Sequence, residues 1–236
     1  MTQMEFKKLV NIVSASKNPP PLSIFAGGVE DWHSCCRLAK FLSLPSIPGH
    51  EEDAIELFKS IEPADIDIED SEDVEEKISG LQRLAELLRT KKEYKAAIHF
   101  INRAIELAEG TDFLYKFVLR GELWADRWNL LTDIGQEDEA EAECDERIAA
   151  YEDITDIKNS YMYFGYRFKA QLAAKRGYAP IVIKDYMHMA LKFMEIPDSY
   201  KAGLDEAFGA THENMAFVLQ SIDRCTPKTN FIGWDI

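Results

Sequence analysis

Apolar residues return at steps of three and four along most of this chain, and that spacing constrains its fold more than any single motif. Ile78, Leu81, Leu84, Ala85 and Leu88 form one such stripe, and Tyr94, Ala97, Ile98, Ile101, Ala104, Ile105 and Ala108 form a second. Residues three and four apart share one helical face, so each stripe marks a helix with one side to bury. No segment alternates apolar and polar residues with the β-branched enrichment of a strand. Longer-range order is also present: Ala97 and Ala140 stand 43 residues apart, and Ile105, Ile148 and Leu191 recur at the same interval. A repeated helical pair cannot bury its apolar face alone and does so by stacking on its neighbours. The expected fold is all-α: an α-α superhelix, or solenoid of helical pairs, with an N-terminal helical cap.

The run Leu81, Leu84, Ala85, Leu88, then Tyr94, Ala97, and then Phe100, Ile101 and Ala104 resembles one unit of the tetratricopeptide repeat family. In that pattern small residues sit where two helix axes cross closely, and large ones fill the grooves between. A degraded second unit places Trp124, Leu131, Gly135 and Ala140 in matching roles, with Trp128 and Arg147 where small residues belong; a weaker third has Gly177 and Ala190. A tetratricopeptide period is about 34 residues and HEAT-like repeats run about 40–47, so the 43-residue interval leaves both types open. The resemblance implies a protein-binding array. A pocket for a peptide's terminal carboxylate would need Lys, Arg and Asn on successive first helices. Gln82, Arg83, Ala125, Asp126 and Asn129 include an acid and lack the full set.

Punctuation divides the chain. Pro19, Pro20 and Pro21 interrupt an N-terminal segment, residues 1–61, with helices expected near 4–14, 30–43 and 51–61. An acidic linker follows at 62–73; between Glu62 and Glu76 there are nine acidic residues and no basic one. Ser71 is the expected cap of the next helix. The repeat array is expected over 74–225, with helices near 113–132, 138–151, 157–174 and 180–194. Pro197 begins one more, which Gly209 ends, and Thr211 caps the last; 226–236 is an aperiodic tail.

The 27 basic and 42 acidic residues give a net charge of −15. That balance argues against nucleic acid and anionic membranes as partners, since both require a basic surface. No apolar run is long enough for a bilayer span, and the start lacks a signal peptide's apolar segment. Four cysteines (Cys35, Cys36, Cys144, Cys225) without a C-x-x-C pair are expected to be reduced, in a cytoplasmic setting. No phosphate-loop, dinucleotide or nucleophile-elbow signature occurs. His212-Glu213 opens a zinc motif that Ala216 breaks. His33, Cys35 and Cys36 are too close along a helix to face one ion, and Met187-His188-Met189 reads as core interrupted by a surface histidine. No metal, cofactor or catalytic residue is therefore expected.

Charge is segregated. Residues 133–156 carry eleven acids and one base, whereas 158–201 carry eight bases and three acids. The leading expectation is a non-enzymatic scaffold gripping a peptide or protein segment in a groove near Arg83, Arg89, Asn129, Tyr163, Tyr166 and Arg167. Tyr and Arg combine contact area with a polar handle. One alternative is an acidic inhibitor or immunity-type protein that neutralises a basic partner through residues 137–153 and 62–76. Another is a helical enzyme with a dispersed site using His99, His188 or His212. The sequence assigns no oligomeric state.

Overall fold

A computed structural model describes residues 1–111, 116–153 and 160–193, with side chains for all of these except 116–119. The described residues form helices and connections without a strand, so the fold is all-α. They divide into two compact units, one holding residues 1–111 and the other residues 116–153 and 160–193.

The first unit begins with α1 (Gln3–Ser14), started by a reciprocal capping box between Thr2 and Glu5, with Phe6, Leu9 and Val13 on its buried face. Two short 3-10 turns, Leu22–Phe25 and Gly28–Glu30, carry the chain past its prolines to α2 (Trp32–Leu42), which Asp31 caps. Then come α3 (Glu51–Ile61), α4 (Ser71–Thr90) and α5 (Tyr94–Glu109). Helices α2 and α3 pack as one pair and α4 and α5 as the next, with both α2 and α3 lying on α4. The second unit holds α6 (Lys116–Asp133), α7 (Glu137–Tyr151), α8 (Ser160–Lys175) and α9 (Pro180–Ala190). Here α6 pairs with α7 and α8 with α9, and α8 packs against both helices of the preceding pair.

The hairpins repeat in backbone detail. Helix α4 ends with Lys92 left-handed at φ 64°, α6 with Gly135 at φ 81° and α8 with Gly177 at φ 71°. In each, the amide after the left-handed residue bonds five residues back: Glu93 to Leu88, Gln136 to Leu131 and Tyr178 to Ala173, each at 2.9 Å. The left-handed residue's own amide bonds to Arg89, Thr132 or Ala174, which completes a Schellman motif three times. These turns fix the register of the first helices at 43 and then 42 residues. The α8–α9 connection is one residue longer, because Ala179 rather than the residue after the left-handed turn caps the second helix. That extra residue restores an even 43-residue step to the second helices. Ala97, Ala140 and Ile183 are all fully buried, as are Ile101, Cys144 and Met187.

The same register identifies a shared crossing. Gly80 and Gly165 are equivalent positions on α4 and α8. A methyl group on Gly80 would sit 2.7 Å from Ile61 and 3.7 Å from Phe58 of α3; on Gly165 it would sit 2.9 Å from Ile148 and 3.6 Å from Cys144 of α7. The preceding hairpin thus docks on each of these helices at a place where only glycine leaves room. A third glycine, Gly121 on α6, meets the backbone of Ser160, and its amide donates to Ser160 Oγ at 3.2 Å.

The acidic stretch after α3 lies inside the first unit, with α2 and α3 packed on α4 across it. One expectation changes. Asp70 rather than Ser71 caps α4; its Oδ1 accepts from the amides of Glu72 (2.8 Å) and Asp73 (3.3 Å), and Ser71 becomes the first helical residue. The helices expected after Pro197, with Thr211, His212 and Cys225, lie outside the described residues.

Candidate functional site

The six residues expected to line a groove have different fates. Arg83 is engaged structurally: its Nε donates to Ser43 Oγ at 3.0 Å and its Nη2 to the Ser43 carbonyl at 2.7 Å, while Nη1 reaches Glu86. The guanidinium thereby satisfies a free carbonyl at the end of α2. Tyr163 is a correction: it is completely buried, its ring edge-on to Phe164 at 4.9 Å, and it offers no surface to a partner. The stripe that assigned Tyr161, Phe164 and Phe168 to the core is met, yet α8 is buried on more than one face because α6, α7 and α9 all pack on it. Tyr166 stacks with Tyr186 of α9 at 6.4 Å, inside its own hairpin. Burial raises its phenol pKa above the ordinary value. Arg89, Asn129 and Arg167 remain half-buried on first helices. Arg83 and Arg89 belong to one unit and the other four residues to the second.

The Schellman register shows which positions match within the second unit. Ala125 on α6 corresponds to Arg167 on α8, and Asn129 corresponds to Gln171, so these four form equivalent pairs on two packed first helices. Gln171 Oε1 is buried with no hydrogen-bond partner, as is the indole N–H of Trp128, which is itself fully buried with its ring 5.4 Å from Phe168. Trp128 stands where the neighbouring hairpins carry Ala85 and Ala170, so the large residue that degrades the repeat in sequence is a core filler. Arg147, the other misfit, lies over the Trp124 ring at 4.0 Å and so keeps its charge out of the helix crossing.

The acidic segments are largely engaged at home. Of the seven carboxylates on α7, five meet bases from α6 and from α8 and the turn after it. Lys175 reaches Glu137 at 2.6 Å, Arg176 reaches Asp138 (3.0 Å) and Glu141 (2.5 Å), Arg127 reaches Glu143 at 2.6 Å, and Lys169 reaches Asp145 at 2.5 Å. The Lys175 bond holds the Glu137 carboxyl below its ordinary range, and the Glu141 bond raises the Arg176 guanidinium further. For Lys169, burial works against the ammonium, but the Asp145 bond and charge outweigh it and the pKa rises. In the first unit His33 sits between Asp73 (3.1 Å) and Glu76 (2.6 Å), and Arg37 Nε donates to Glu76 at 3.1 Å. These bonds tie α2 to α4.

No group of histidine, cysteine and carboxylate side chains suited to a metal occurs among the described residues. Cys36 is fully buried and its thiol is pushed up to about 12; burial raises Cys144 as well, so both are unreactive in the folded state. No helix among the described residues is long and apolar enough to cross a membrane. The fold therefore defines a class, all-α chains built from packed helical hairpins. Compared with known proteins, the chain matches no family model, no curated protein and no solved structure.

Sequence reasoning missed Gly80, Gly165 and Gln171. The signal was available: the glycines are 85 residues apart, the sum of the two turn-to-turn steps.

Proposed function

We propose that the protein is a non-enzymatic interaction module of the helical-repeat class, similar in construction to tetratricopeptide arrays but with longer hairpins, and that it binds a peptide or protein segment. The supporting observation is the register of the second unit. Asn129 and Gln171 occupy equivalent places on packed first helices, and each amide supplies both a donor and an acceptor for a main chain. Arg167 adds a charge beside them. Tyr163 drops out of this reading, Tyr166 serves its hairpin, and Arg83 serves α2.

The test is capture from native extract at two salt concentrations, with the parent and with Asn129→Ala, Arg167→Ala and Gln171→Ala combined. Loss of a specific captured partner with unchanged helicity and melting supports the reading. Capture that survives the triple change defeats it.

A further inference from the structure

A second basic cluster lies in the first unit, on α4 and α5. Lys77 on α4 is 9% exposed, and its ammonium donates to the main-chain carbonyl of Ala64. Burial pushes this amine below the ordinary lysine value; Arg103 adds repulsion, and Asp65 and Glu62 partly offset both. Arg103 and His99 lie one turn apart on α5 and so share a face. His99 Nε2 reaches Glu62 Oε1 at 3.3 Å. Residues 62–70 carry Glu62, Asp65, Asp67, Glu69 and Asp70 and no base, and residues 67–70 are exposed. This acidic segment is thus held to α4 and α5 by the part-buried bond from Lys77 to the Ala64 carbonyl and by the His99–Glu62 contact, while Arg103, on the same face of α5 as His99, pairs with Glu106 at 2.6 Å. Exposed pairs of this kind are weak and screened by salt.

We propose that Lys77, His99 and Arg103 form a docking surface for an acidic peptide, and that residues 62–70 occupy it in cis as a displaceable strap. The chemistry of the occupant is taken from the segment now seated there: the Glu62 carboxylate at His99 and the Ala64 main-chain carbonyl at Lys77. A tethered occupant competes through its high effective concentration, so a peptide in trans binds only when the strap is weakened or outcompeted.

The experiment uses the full chain and a labelled peptide with the sequence of residues 61–70, IEPADIDIED, followed by fluorescence anisotropy at low salt. The peptide should bind the strap-neutralised chain (Glu62→Gln with Asp65→Asn) several-fold more tightly than the parent. Adding His99→Gln and Arg103→Gln, both exposed positions, should abolish that gain, and a peptide with every carboxylate replaced by its amide should not bind. Equal binding to parent and neutralised chain, or binding indifferent to His99 and Arg103, overturns the proposal. Hydrogen exchange supplies a separate reading on the parent: Lys77→Met should speed exchange of amides 62–70 while α4 and α5 stay protected. If the strap amides exchange at the parent rate in that variant, the strap is not held by Lys77 and the proposal fails. Should Lys77→Met unfold the unit, the His99 and Arg103 substitutions decide alone.

Discussion

Helices α5 and α7 occupy the same place in successive hairpins, follow the same turn and carry equivalent buried positions, yet they are held by different forces. Helix α5 buries Ala97, Phe100, Ile101, Ala104, Ile105 and Ala108, whereas α7 buries only Ala140, Cys144 and Ile148. Removing a Leu- or Ile-sized side chain from water stabilises by about 1.5–3 kcal/mol, so α5 needs no other attachment. On α7 the positions matching Phe100 and Ala104 are Glu143 and Arg147, which find Arg127 and the Trp124 ring instead. One backbone register thus accommodates an apolar and a charged solution to the same packing problem. The charged one is weaker per contact and depends on solvent conditions.

The sharpest way to break this comparison is Ala97→Glu, which places a charge at a fully buried crossing. It should unfold the first unit, at a cost of about 3–5 kcal/mol in urea titrations. A variant melting like the parent would show that the register does not define the core. Next in size, Ile101→Ala should cost about 2–5 kcal/mol. Cys144→Ala, at the equivalent position of α7, should cost less, since a smaller side chain is removed. Equal losses would erase the distinction between the helices.

Arg127→Met probes the charged solution directly. Its bond to Glu143 is partly buried, and losing it should cost about 1–3 kcal/mol at low salt, with calorimetry as the readout. Parent and variant should converge as salt rises. The acid response follows from Glu137, whose folded pKa is depressed by Lys175. Its stabilising contribution is complete above the ordinary glutamate value of about 4.3 and is lost as pH falls through the lower folded value. Hydrogen exchange on acidification should therefore release α7 before α5. The smallest effect comes from the turns: Lys92→Gly should stabilise by up to about 1 kcal/mol, and Gly135→Ala should destabilise by a similar amount, because only glycine adopts the left-handed turn without strain.

Much of this was legible in the residues. The apolar stripes located α4 and α5, and the 43-residue interval falls on buried positions of the second helices. The turn glycines Gly135 and Gly177 were visible, but Lys92 concealed the third turn, since a lysine does not announce a left-handed backbone. The groove residues were harder to place. Helical phase separates one face from another, but it does not say how many faces are covered; Tyr163 is buried because α8 has neighbours on three sides. Arg83 shows the converse, a charge that reads as a binding handle but serves a carbonyl 40 positions earlier. Contacts at that separation leave no periodic trace in a sequence.

The buried thiols described above give each unit a clock. Cys36 lies under α4 against Gly80, and Cys144 lies under α8 against Gly165. A thiol-reactive reagent reaches either one only after a hairpin lifts from the helix behind it. Labelling rates, resolved by peptide mass, would then time the opening of the α2–α4 and α7–α8 contacts in one sample, without any engineered probe.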